Sequence, residues 1–195
     1  MAFATLYFVR HGETDMNREF RCQGRVDTPL NATGLQQAAE ATRELSYIKI
    51  DHLYSSPLRR ALDCAVAIGK PHGLEPQEID WLTEIDHGRL EGMNREEAEQ
   101  HYPGLMDKWI DFPHTVDFPG GESLEIVKNR VIAGLRDVCR RDAGAVVFVT
   151  HQVVTGVARC HLFKRPFSEI WEKKLLNGKY LKIEMTPDMM RQLDA

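Results

Sequence analysis

The order of apolar and polar positions divides the chain into short apolar runs and longer stripes of helical period. Leu6 to Val9 is a compact apolar run that stops at Arg10-His11-Gly12, as a buried strand running into a loop would. After a polar loop, Thr33 and Gln36 are placed as a capping box, and Leu35, Ala38, Ala39, Thr42 and Leu45 follow at helical spacing. His52 to Ser55 reads as a second short strand. Ser56 and Pro57 then offer an N-cap and a first-turn proline to a helix whose buried stripe is Leu58, Ala61, Leu62, Ala65 and Ile68.

From Glu84 to Gly121 the periodicity lapses. Pro103, Pro113, Pro119 and several glycines interrupt it, and Trp109 and Phe112 look exposed, so this stretch reads as loops and short helices able to cover a site. Ser123 is placed to cap a long helix carrying Leu124, Val127, Val131, Leu135 and Val138 on one face. Gly144 ends that connection. Residues 145–150, A-V-V-F-V-T, read as a strand buried on both faces that ends at His151. Leu181, Ile183 and Met185 alternate with Lys182 and Glu184 as a last strand would.

Strands alternating with helices predict an α/β three-layer sandwich, a central mostly parallel sheet flanked by helices. Ligands gather outside the C-terminal ends of such strands. Three candidate stretches sit there: Arg10-His11, Ser55 to Arg60, and His151. Length adds one expectation, a single domain over 1–195 with 94–121 as a lid or specificity segment.

Composition narrows the function classes. Hydrophobic residues make up 43% and charged residues 28%, with a net charge of -4, which argues against a nucleic-acid binder. No apolar stretch approaches the roughly 18 residues of a membrane span. The N-terminus lacks the basic region of a signal peptide. Cys22, Cys64, Cys139 and Cys160 form no Cys-x-x-Cys pair, which suggests reduced thiols. Together these features predict a cytoplasmic protein with no nucleic-acid or membrane partner, and no metal site.

Candidate chemistry begins at Arg10-His11-Gly12. A strand-end histidine beside a glycine leaves one ring nitrogen open, and neutral imidazole is a competent nucleophile toward phosphorus. The Arg10 fork suits phosphate oxygens. Alone, the tripeptide fits a solvated turn as well. The longer stretches F-V-R-H-G-E-T-D-M-N (8–17) and C-Q-G-R-V-D-T-P-L-N-A-T-G (22–34) resemble the opening of the histidine phosphatase (phosphoglycerate mutase-like) superfamily. S-S-P-L-R-R-A (55–61), L-T-E-I-D-H-G-R-L-E-G (82–92) and V-F-V-T-H-Q (147–152) are similar to later landmarks of that family.

The resemblance implies a phosphoglycerate mutase-like fold and a phosphomonoester hydrolase that needs no cofactor and forms a phosphohistidine on His11. It implies Glu84 as the acid that protonates the leaving oxygen and His151 as the partner histidine. Arg10, Arg60 and Asn17 would hold phosphate. Arg59 is left as a solvated helix charge. The remaining histidines read as surface, capping or lid residues, His87 excepted, because the family more often has an aromatic there. A small phosphorylated metabolite is the expected substrate, with α-ribazole 5'-phosphate compatible with the length, Gln152 and P-G-G-E-S (119–123).

The alternative within the same fold is a cofactor-dependent phosphoglycerate mutase. Mutases typically carry Arg after the catalytic Glu, where this chain has Ile85, and a longer insert with paired arginines. A second alternative, a catalytically silent phosphate-binding module, would be expected had His11 or Glu84 been replaced. His101, Tyr102, Trp109, Phe112 and His114 are candidates either to line a substrate pocket or to pack the lid.

Overall fold

Two clusters of buried side chains, one on each face of a sheet, organise the molecule. The computed structural model describes residues 4–194, and in chain order it shows β1 (Thr5–Arg10), α1 (Asp15–Arg18), α2 (Ala32–Leu45), β2 (His52–Ser55), α3 (Arg59–Gly69), β3 (Gln77–Glu78), α4 (Arg95–His101) and α5 (Leu105–Asp111). Then come α6 (Leu124–Arg141), β4 (Ala145–Thr150), α7 (Gln152–Leu162), β5 (Tyr180–Glu184) and α8 (Pro187–Asp194). The strand order is β3-β2-β4-β1-β5, parallel except for the antiparallel edge strand β5.

Side chains alternate across a strand, so β1 and β4 each feed both faces. Val9, Val147 and Val149 pack against Ala38 and Leu45 of α2 and Ala65 and Ile68 of α3. Leu6, Phe8, Val146 and Phe148 pack against Val131 and Leu135 of α6 and Val154 and Val157 of α7. Phe8 and Phe148, paired across the strands, have ring centroids 5.1 Å apart. This is the expected three-layer sandwich. Among the described residues no helix is long and apolar enough to cross a membrane.

The helix starts differ from the expected caps. α2 begins at Ala32 and its cap is Asn31, whose side chain accepts from Gly34 N at 2.8 Å; Thr33 lies inside the first turn. The buried stripe is Gly34, Ala38, Ala41 and Leu45, and Leu35 faces solvent. The rotation has a steric cause. A Cβ on Gly12 would lie 2.3 Å from Gly34 O and one on Gly34 would lie 2.1 Å from Glu13 O, so the helix start presses its backbone against the loop after β1. Ala is normally favoured over Gly in a helix by about 1 kcal/mol. Gly34→Ala is nevertheless expected to lower the melting temperature by about 4–8 °C, given an overpacking cost of ~2 kcal/mol and the usual scaling for a chain of this size. Differential scanning calorimetry reads it; an unchanged or raised Tm would show that the loop yields.

α3 likewise begins at Arg59, after Leu58, and not at Ser56-Pro57. Asp27 supplies the cap from a distant loop, its Oδ1 accepting from Arg59 N at 2.7 Å. Ser56 Oγ instead accepts from Leu58 N and contacts His151 Nε2 at 2.8 Å. Ser123 caps α6 as expected, accepting from Ile126 N.

Between Glu84 and Gly121 the chain forms α4, α5 and short 3-10 turns. Phe112 is exposed, but Trp109 is buried. Trp171 stands edge-on to it at 5.0 Å and donates its indole N–H to Trp109 O, so a residue 62 positions away closes over a side chain that looks exposed in the sequence.

Candidate active site

The parallel register sets two histidines side by side. Arg10 pairs with Thr150 at the ends of β1 and β4, so His11 and His151 emerge together, their ring centroids 5.0 Å apart. A pocket of about 300 Å³ opens above them, bordered by Arg10, His11, Asn17, Arg60 and Glu84 among others. His151 is fully buried beside it. All six residues expected from the sequence therefore converge. Of the five candidates from 94–121, Trp109 borders the pocket, joined by Met106, while His101, Tyr102, Phe112 and His114 do not.

His11 is held by Nδ1, which lies 2.6 Å from Gly12 O. A carbonyl only accepts, so Nδ1 carries the proton and Nε2 keeps its lone pair. Burial, and then the charges of Arg60 and Arg10, depress the imidazole pKa well below 6.5, which keeps the ring neutral at physiological pH. His151 is depressed for the same first two reasons, burial and Arg60. Its Nε2 lies 2.8 Å from the Ser56 hydroxyl, a group able to donate or accept, and its Nδ1 has no protein partner.

Arg60 is fully buried, and its fork is fixed by backbone: Nη1 donates to Val26 O at 2.9 Å and Nη2 to Gly24 O at 2.7 Å. With the Gln23 amide oriented to satisfy its neighbours, Gln23 Oε1 accepts from Arg60 Nε at 2.6 Å and its NH₂ donates to Thr14 Oγ1. The contact from Arg60 Nε to His11 Nε2 is longer, 3.3 Å, so the histidine lone pair stays open. Burial pulls Arg60 down to about 10, which leaves it charged at neutral pH. Arg10 donates from Nη1 to Leu175 O at 2.8 Å and to Gln152 Oε1 at 3.3 Å. Asn17 closes a capping box with Thr14, and its Oδ1 also accepts from Asn177 Nδ2.

Glu84 sits opposite, 8% exposed, with Oε1 accepting from Ile85 N at 3.0 Å and Oε2 from Val153 N at 3.3 Å. Burial raises its pKa above the usual carboxylate value, against the pull of those two bonds and of Arg60 and Arg10. His87 borders the pocket with its ring edge-on to Phe118 at 4.6 Å, and burial lowers it to about 4. Among the described residues six buried polar atoms have no partner, and three of them, Arg10 Nε, His87 Nδ1 and His151 Nδ1, belong to this one site, the others being His72 Nε2, His161 Nε2 and Gln192 Oε1. Buried polar groups are normally paired, so three together mark a polar surface left open to a ligand.

Sequence reasoning missed the groups that aim these side chains. Gln23, Asp27, Ser56, Arg130 and Asn177 act across 32 to 166 positions, and contacts of that range leave no periodic trace. Gln23 stands inside a quoted motif, so its position was visible but its task was not.

A neutral histidine with a free lone pair, two arginines and a protonatable carboxyl surround one pocket at the strand ends of an α/β sheet. The chain belongs to the histidine phosphatase superfamily, branch 1, whose profile matches residues 6–194, and it is a phosphatase. It is 39% identical over 181 residues to phosphoserine phosphatase 1 of Hydrogenobacter thermophilus, covering 92% of this chain and 86% of that one. It is 38% identical over 190 residues to the Bacillus subtilis phosphatase PhoE, covering 95% and 91%. The solved structure of Bacillus stearothermophilus YhfR superimposes with a TM-score of 0.89 at 29% identity, over 94% of this chain and 92% of that one.

Proposed function

We propose that the protein hydrolyses a small phosphomonoester in two steps through a phosphohistidine on His11 Nε2. The observation that carries this reading is the His11 ring itself, neutral by burial and proton-fixed at Nδ1. In the first step the Nε2 lone pair forms the N–P bond as the ester P–O bond breaks. Glu84, protonated, gives its proton to the leaving oxygen. In the second step Glu84 takes a proton from water as that water attacks phosphorus, and the N–P bond returns its electron pair to His11. Arg10, Arg60, Asn17 and the His151 Nδ1–H hold the phosphoryl oxygens, where charge spreads in the transition state.

Two arginines supply the charge that Mg²⁺ provides in many phosphoryl-transfer enzymes. Full phosphatase activity is therefore expected in excess EDTA, and a rate restored only by added divalent metal would overturn the mechanism. Substrate choice falls to the wall beyond the phosphate, formed by His87, Met106, Trp109 and Trp171, with 94–121 as the specificity segment. Gln152 also lines the pocket, its Oε1 accepting from Arg10 and its NH₂ left for substrate. Phosphoserine is the first ester to test, since a relative at 39% identity is named for it; α-ribazole 5'-phosphate and 3-phosphoglycerate complete the panel. Phosphate release in chelator by the wild type tests hydrolysis. Transfer between phosphoglycerates without net release would favour a mutase.

A further inference from the structure

The segment that carries Glu84 leaves a single 3-10 turn, Asp80–Leu82, with no α-helix or strand to hold it, yet every carbonyl from 81 to 84 has a partner. Thr150 Oγ1 donates to Leu82 O at 2.5 Å. The other three converge on one side chain. Arg130, on α6, donates from Nη1 to Trp81 O and Thr83 O, each at 2.7 Å, and from Nη2 to Glu84 O at 3.1 Å. Its remaining donors meet Glu122: Nε to Oε1 and Nη2 to Oε2, both at 3.1 Å.

Glu122 grips the same segment from the far side, where its Oε2 accepts from Asp86 N at 3.0 Å. The backbone follows it down, with Glu122 N donating to Asp86 O and Arg89 N to Pro119 O. Contact here is close enough to exclude side chains. A Cβ on Gly121 would lie 2.4 Å from Asp86 O, and Gly88, at φ +54°, would place one 2.4 Å from Pro119 O. The pair is well shielded, with side-chain exposure of 18% for Arg130 and 11% for Glu122.

From this geometry we infer that Arg130, braced by Glu122, is the positioning residue for the proton donor, fixing where the Glu84 carboxyl stands relative to the leaving oxygen. The inference rests on the proposed acid role of Glu84. A planar fork with several parallel donors suits the task, and lysine would reach fewer of the carbonyls. Arg130 contacts Glu84 through its backbone carbonyl alone, so its largest effect is expected on steps in which a proton must arrive at a set point.

Leaving-group chemistry separates this role from general support of the fold. Phenyl phosphate needs a proton on its departing oxygen; 2,4-dinitrophenyl phosphate departs without one. Arg130→Met is expected to lower kcat/KM about 30-fold for phenyl phosphate and less than ~3-fold for the dinitrophenyl ester, a partial loss of the roughly 10² to 10⁴-fold that a general acid contributes. Arg130→Lys should fall between wild type and Met, and it carries the test if Arg130→Met does not fold. In a Glu84→Gln background the Arg130 change should add less than ~3-fold, because two residues acting as a unit are not additive. Equal losses on both esters, or an undiminished loss in the Glu84→Gln background, would overturn the role of Arg130 while leaving Glu84 as the acid. A Glu84→Gln enzyme with wild-type rates on phenyl phosphate would instead remove Glu84 as the acid, and the role of Arg130 with it.

Discussion

His11→Ala is expected to abolish phosphate release, lowering kcat/KM by at least about 10⁴-fold, because the variant loses the proposed nucleophile. The fold should survive, since the ring packs at the pocket edge and its one strong hydrogen bond is to the next residue's carbonyl. A folded variant retaining a tenth of wild-type turnover would sink the phosphohistidine mechanism. Alkaline quench of the wild type with labelled ester should trap phosphoprotein, and quench of the variant should not. The pH profile carries a further mark. An ordinary imidazole gains a proton as pH falls through 6.5 and stops being a nucleophile. In His11, burial and two arginines push that event well lower, so kcat/KM should show no loss attributable to this ring between pH 7 and 6.

Glu84→Gln is expected to cost about 10² to 10⁴-fold on esters with poor leaving groups, the range a positioned general acid supplies. The wild type should lose activity on the alkaline side as Glu84 gives up its proton, at a pH above the usual carboxylate range because burial raises its pKa. Glutamine cannot titrate, so this limb should vanish in the variant; its persistence would assign the limb to another group. Stability should respond in the same direction. A carboxyl whose pKa is raised by folding favours the folded state below its unfolded value, about 4.5, and that advantage is lost as pH rises through the folded value. The difference in Tm between variant and wild type should therefore shift in favour of glutamine from pH 4 to pH 8, as thermal melts at the two pH values would show.

Much of the frame was legible in the sequence because it is periodic. The buried face of α6 and the doubly buried β4 follow from spacing alone, and both appear where the pattern puts them. What failed were features decided by distant neighbours. The cap of α3 comes from Asp27, 32 positions away, and the start of α2 turns on how closely Gly34 meets the loop at Gly12. Trp109 looks exposed until Trp171 is folded against it. The site divides along the same line. Arg10, His11, Asn17, Arg60, Glu84 and His151 stand in recognisable local strings. Arg130 stands in none: along α6 it reads as a solvated charge, and only the path of 81–84 across its tip gives it a task.

The side-by-side emergence of the two histidines also governs when the site comes into being. Arg10 and Gln152, which touch at the pocket wall, are 142 positions apart, and no shorter piece of chain brings β1 against β4. Contacts of such separation form slowly, after the loop entropy between them has been overcome. A nascent chain still lacking β4 has its nucleophile and both arginines, but neither His151 nor the strand that lies between β1 and β2. Catalytic competence is thus expected to arrive late, with the docking of one central strand on the other, and the return of activity during refolding would time that docking.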